Sequence, residues 1–193
     1  MAAHEEAPGP TDEFGQALRS LNLGLVRPEV RLESAPAPQR LAPFAAAFTG
    51  EVPGPDDRDI ATGRLVLLHD PDGVEAWAGR FRLVVYVRAD VEPEVASDPL
   101  LPGVGWDWLG EALDRHGAAH LALGGTVTRV GSESFGSLAE NPPGAELEIR
   151  ASWTPASADM APHMAAWCEL LCSAAGLPPL PTGVVTIQRR RRS

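Results

Sequence analysis

The sequence predicts an α+β domain: an antiparallel sheet with two helices packed on one face, preceded by an N-terminal helix. Three observations carry this. Residues 79–89 alternate as a strand does, with Phe81, Leu83, Val85 and Val87 on one side and Arg80, Arg82, Tyr86 and Arg88 on the other; Val84 is the one break. Residues 145–153 alternate again, Leu147, Ile149, Ala151 and Trp153 against Glu146, Glu148, Arg150 and Ser152. Two segments carry helical stripes instead: Trp108, Leu109, Ala112 and Leu113 within 105–116, and Met160, Met164, Trp167, Leu171 and Ala175 within 159–175.

The remaining elements follow in order. Residues 1–10 have no apolar period and contain Pro8, Gly9 and Pro10, so they read as a disordered tail. Thr11 is placed to cap a helix opening on Asp12 and Glu13, acids that suit the positive end of a helix. Phe14, Ala17, Leu18, Leu21 and Leu25 form its stripe, and Gly24 marks its end. Val30–Leu32 reads as extended, and Ala35-Pro36-Ala37-Pro38 as a link. Residues 41–52 fit a helix turn or a strand; the following Gly50, Pro53, Gly54 and Pro55 favour the strand. Residues 62–69 read as a strand closed by a turn at Asp70-Pro71-Asp72-Gly73, where proline presets φ and glycine admits positive φ. After 79–89, Pro102 and the glycines at 103 and 105 delay the next helix to about 105. Gly117 stops it. Strands follow near 119–130 and 145–153, around a Gly/Ser/Pro-rich stretch at 131–144. Gly176 ends the last helix, and Val184-Val185-Thr186-Ile187 is a candidate closing strand.

This order gives two successive β-β-α units, 62–116 and 119–175. From residue 79 it also reads as strand-helix-strand-strand-helix-strand, the ferredoxin-like order. The expected organisation is one domain over 11–188, with a tail at 1–10 and a basic tail at 189–193. Inward residues of strands 79–89 and 145–153 are expected to pack on Trp108, Leu109, Leu113, Met164, Trp167 and Leu171.

Composition narrows the chemistry. The chain has 193 residues, 26 acidic and 16 basic, a net charge of −10. Every basic residue is arginine. With no lysine there is no Schiff-base chemistry, no lysine general base and no Walker-type phosphate loop. Glycine and proline, 19 each, stay below the share that reads as low complexity. No apolar run approaches the roughly 18 residues of a membrane span, and the acidic start is no secretory signal. A cytoplasmic protein with no membrane partner is expected.

Four consecutive arginines, Arg189, Arg190, Arg191 and Arg192, end the chain before Ser193. The acidic body repels phosphates, so a nucleic-acid partner is expected only through this tail. Cys168 and Cys172 lie four apart on one helix, roughly 5–6 Å between Cβ atoms, too far for a disulfide. No second pair completes a metal site, so they read as small buried residues; neither metal nor cofactor is expected. His4, His69, His116, His120 and His163 show no HExxH or HxH spacing. His116 and His120 straddle a helix end, where an imidazolium suits the dipole.

Two local strings could hold a polar ligand. His69, Asp70 and Asp72 place an imidazole beside two carboxylates in a turn. Ser132, Glu133 and Ser134, bounded by Gly131 and Gly136, present two hydroxyls and a carboxylate after a strand; the spacing is not that of a nucleophile elbow. Of the five tryptophans, Trp77 and Trp106 sit near element ends and are candidates for exposure, while Trp108, Trp153 and Trp167 read as core.

The strings APAPQRLAP at 35–43, ATGRLVLLHDPDG at 61–73, SESFG at 132–136 and LEIRASWTP at 147–155, with Trp-Cys-x-x-Leu-Cys at 167–172, carry a resemblance. Together they resemble the actinobacterial domain-of-unknown-function family numbered 3000, from about Phe14 to Pro181. The resemblance implies an actinobacterial cytoplasmic protein, in keeping with the arginine-only composition. It brings no activity, catalytic residue or fold with it.

The function expected is a non-enzymatic binding or adaptor domain for a protein partner, with Arg80, Arg82, Tyr86 and Arg88 as its surface. The competing reading of those residues is charge pairing within the sheet with Glu146, Glu148 and Arg150. One alternative is a small-ligand binder or enzyme using His69–Asp72 and Ser132–Ser134 together, which requires both loops to reach one ligand. A second is weak RNA association through Arg189–Arg192. Oligomeric state and strand order are left open by the sequence.

Overall fold

The computed structural model describes residues 12–55, 58–140 and 142–179. The Thr11 cap, the 1–10 tail, the 184–187 strand and Arg189–Arg192 lie outside them. Helix α1 spans Asp12–Leu21, followed by strands β1 (Arg31–Ala35), β2 (Phe44–Pro53), β3 (Asp59–Val74) and β4 (Gly79–Val91). Helices α2 (Pro93–Ser97) and α3 (Leu101–Arg115) lead to β5 (His120–Ser132) and β6 (Gly144–Pro155), and α4 (Ala161–Ala174) follows. All six strands form one antiparallel open sheet in the order β1-β2-β3-β4-β6-β5. The fold is α+β. No helix among the described residues is long and apolar enough to cross a membrane.

The alternation read in 79–89 holds residue by residue. Phe81, Leu83, Val85 and Val87 are buried, as are Leu147, Ile149, Ala151 and Trp153 opposite them. These gather with Leu109, Leu113, Met164, Trp167 and Leu171 in one core. A smaller cluster, Ala47, Val66 and Leu68, lies on the other face under Trp77 and Ala42. Two paired glycines set the helix–sheet distance. Gly50 and Gly63 face each other across β2 and β3, and α4 sits on the bare backbone they leave. A Cβ on Gly50 would lie 2.8 Å from Leu171 and 2.9 Å from Trp167. Gly105 turns α3 toward Val127, Leu147 and Ile149 of the same face, where an added Cβ would make ordinary contacts at 3.4–3.6 Å. Helix α4 is covered on several sides: the sheet below it, α3 beside it, and α1, whose Gly24 loop rests on Met164. That is why its burial runs unbroken from His163 to Cys172.

Several expectations are corrected. Helix α1 ends at Leu21 rather than Gly24, and Leu25 is exposed. Asp70–Gly73 does not reverse the chain. Asp72 N–H donates to Asp70 Oδ1 at 3.0 Å as a local turn within an irregular end of β3. The reversal comes at Glu75–Trp77, where Ala78 adopts φ 55°. Pro102 and Gly103 do not delay α3, because a proline in the first turn lacks only an N–H that has no helical partner there. Trp108 packs against the core only partly buried, on the flank of α3 toward α4. The neighbour of β4 opposite β6 is β3, which occupies the place a ferredoxin-like final strand would take.

Candidate functional site

The outer face of the sheet, opposite the helices, carries the polar residues of β4 and β6. Their register sets Val84 opposite Ser152, Tyr86 opposite Arg150 and Arg88 opposite Glu148. The contacts formed are partly diagonal. Arg88 Nε donates to Glu146 Oε2 at 2.6 Å. That bond raises the Arg88 pKa and holds Glu146 below the usual carboxylate range. Tyr86 OH donates to Glu148 Oε1 at 3.0 Å; burial first, then this bond, pushes the phenol up. Arg150 pairs with Glu148 at 2.7 Å and lies 5.3 Å from the centre of the Tyr86 ring, a cation–π arrangement. The pairing reading of this face is therefore correct for Tyr86, Arg88 and their β6 partners.

Arg82 differs. It donates to Ala122 O at 3.0 Å, Thr154 Oγ1 at 3.2 Å, Ser152 O at 3.3 Å and Ser152 Oγ at 2.7 Å. Its acceptors are neutral, and burial lowers its pKa. Among the described residues no carboxylate pairs with it. The Ala122 carbonyl it holds belongs to an irregular point in β5, where Ala122 has φ 49° and the register shifts between Leu121 and Gly124.

Beside this point the outer face opens into a groove of 720 Å³, lined by Arg82, Val84, Tyr86, Thr126, Arg150 and Ser152 among others, with Gly124 and Gly125 forming its β5 wall. A Cβ on Gly125 would strike the Arg150 carbonyl at 2.3 Å and Trp106 at 2.8 Å, so glycine is required there. Among the described residues the charged groups lining the groove are Arg82 and Arg150, with no acidic residue among them.

Arg80 is drawn away from the groove into an ion pair with Glu13 of α1 at 2.9 Å. His69 is buried on the inner face, stacked 4.3 Å from Phe81 with Phe14 and Phe44 near, and its Nδ1 donates to Arg80 O at 3.2 Å. Asp70, half-buried, and Asp72, exposed, follow it at the irregular end of β3. Ser132 and Glu133 are exposed and Ser134 half-buried at the far end of the sheet. His69 pairs with Phe81 at one end of β4, while Ser132 pairs with Gly144, next to Ala145 opposite Val91 at the other. At a rise of about 3.3 Å per residue the two groups stand ~33 Å apart. They do not meet at one ligand.

The buried reactive groups are held inert. Burial pushes both Cys168 and Cys172 thiols up to about 12. His163 accepts from Trp153 Nε1 at 3.0 Å, and burial lowers its pKa to about 4. His116 ends α3, and His120 Nδ1 donates to Ala118 O at 2.9 Å. Glu169, buried in α4, pairs with Arg115 at 2.6 Å and Arg27 at 3.9 Å. Arg27 in turn holds Glu29 at 2.7 Å and the Pro178 carbonyl at 3.0 Å. This cluster ties the loop after α1 and both helix ends together.

Sequence reasoning missed Gly124, Gly125, Thr126 and Glu169. The signal for the first two was present: paired glycines inside a strand pattern mark a bulge or a close approach. Glu169 had no such signal, because its partners come from two other parts of the chain.

The family model for a protein of unknown function, DUF3000, matches residues 10–185. No curated protein and no solved structure matches the chain. The chain belongs to the DUF3000 family.

Proposed function

We propose that this member of the DUF3000 family is a non-enzymatic binding or adaptor domain whose outer sheet face receives an acidic segment of a protein partner. The observation that carries the reading is the groove beside β5: its lining charges are two guanidinium groups, in a chain whose net charge is −10. Arg82 is desolvated there with neutral acceptors, so a carboxylate entering the groove offsets a burial cost already present. Arg150 stands 55% exposed, held by Glu148 and the Tyr86 ring with one side open to a second acid. Tyr86 adds a flat apolar surface between them. The surrounding pairs hold these side chains in place before binding, which lowers the ordering cost of association.

The test is affinity capture from native extract with wild type and Arg150→Glu. The reading expects one protein partner, retained at low salt and released at high salt, and lost with Arg150→Glu. Equal capture by both forms, or a retained small molecule with no protein, would overturn it.

A further inference from the structure

We propose that the edge of β5 away from β6 pairs with β5 of a second copy, giving a two-fold dimer with a continuous sheet. Among the described residues β5 is bonded only to β6. An unpaired strand edge is usually blunted by charge, proline or shortness. Beyond the irregular point at Leu121–Gly124, this edge has none of these: Gly124–Ser132 contains no proline and a single charge, Arg129. Arg129, itself exposed, is tied to the segment after β4, donating to Asp98 O at 2.7 Å and Ala96 O at 3.1 Å.

The helix beneath supplies a second, independent observation. Trp106 of α3 lies under Gly125, and at about 100° per residue Gly103 and Gly110 fall on the Trp106 side of α3, turned further from the sheet. A Cβ on Gly103 or Gly110 would meet nothing within 4 Å, although each glycine costs a helix roughly 1 kcal/mol against alanine. The two open glycines leave the Trp106 side of α3 uncovered among the described residues, with room for the same side of a partner helix. The opposite α3 flank, with Trp108, Glu111 and Arg115, is where the described chain ends at Pro179.

A second copy fits better than a charged partner, because the strip is almost uncharged on an acidic molecule. A two-fold axis at Thr128 sets Thr128 opposite Thr128, Thr126 opposite Val130 and Val127 opposite Arg129. No acids meet, and threonine pairs are favourable across strands. Nine strand residues span about 31 Å and fifteen helical residues about 22 Å. With a depth of about 10 Å for each layer, the buried strip is on the order of 500 Å² per copy. The total of about 1,000 Å² is where specific interfaces begin.

The test is the mass of the full chain by light scattering and sedimentation. Wild type should be a dimer. Thr128→Lys sets two cations across the axis and should weaken self-association at least about tenfold. Gly110→Glu, where an added Cβ meets nothing within 4 Å and glutamate favours helix, should weaken it too. Glu111→Lys on the other flank and deletion of 180–193 should leave the dimer intact. Unchanged circular dichroism would show that each variant folds. A monomeric wild type, a dimer that survives Thr128→Lys, or a dimer lost on deleting 180–193 would overturn the proposal.

Discussion

Replacing Gly50 with alanine places a methyl 2.8 Å from Leu171 Cδ1 and 2.9 Å from Trp167 Cη2. Ordinary carbon contacts begin near 3.5 Å, so both side chains must retreat by more than half an ångström. Overpacking of this kind costs about 1–3 kcal/mol. Removing glycine from a strand returns about 0.5–1 kcal/mol, so the net loss should lie between about 0 and 2.5 kcal/mol, centred on about 1 kcal/mol. Trp167→Phe deletes the ring atoms that obstruct the methyl and by itself leaves a cavity. The double variant should be more stable than the sum of the two losses by about 1 kcal/mol, because the new methyl partly fills that cavity. Gly63 supplies the control. Its Cβ would lie 2.7 Å from the Tyr86 carbonyl, which a change at Trp167 does not move. Gly63→Ala should therefore be more damaging, and Trp167→Phe should rescue it less. Urea unfolding at constant m-value reads all five variants. Strict additivity at Gly50, or equal rescue at Gly63, would refute the packing argument.

Other outcomes follow from buried groups. His163 ordinarily titrates near 6.5 but near 4 here, because burial disfavours its charged form. Above pH 6.5 it is neutral in both states and has no effect. As pH falls from 6.5 to 4 the unfolded chain takes up the proton and the folded chain does not, so stability declines by about 3 kcal/mol. His163→Gln retains an acceptor for Trp153 and should flatten that part of a stability–pH curve; an unchanged slope would count against the assignment. Cys168 and Cys172 should react with a thiol reagent only as fast as the protein unfolds, and their double alanine variant should leave metal content unchanged. Rapid labelling of the native protein, or zinc lost with the cysteines, would contradict this. Arg82→Met should speed amide exchange around Ala122–Gly124, since the guanidinium pins that carbonyl.

The fold was legible where a local pattern coincided with burial. The alternation at 79–89 identified both faces of β4 because the period of two survives any choice of neighbour. The stripe of α4 located a helix but not its all-round burial, which depends on α1 and α3 closing over it. Asp70–Gly73 misled because turn residues also suit an irregular strand end, and the true reversal uses Ala78, a residue with no turn signature. At the site, the outward arginines could be named, but not which would be paired. Arg88 found Glu146 and Arg80 found Glu13 through strand register and helix docking, both long-range facts. Arg82 found neutral acceptors on two strands, Ser152 and Thr154 of β6 and the Ala122 carbonyl where β5 bends.

The central claim is that the outer face beside β5 is the binding surface. Its most direct measurement is a backbone amide titration of the ¹⁵N-labelled full chain with an acidic peptide such as oligoglutamate. The account predicts shifts concentrated at Arg82, Tyr86, Gly124, Gly125, Thr126 and Arg150, suppressed by salt and by Arg150→Glu. Shifts confined to His69–Asp72 or Ser132–Ser134, or none at any peptide concentration, would contradict it.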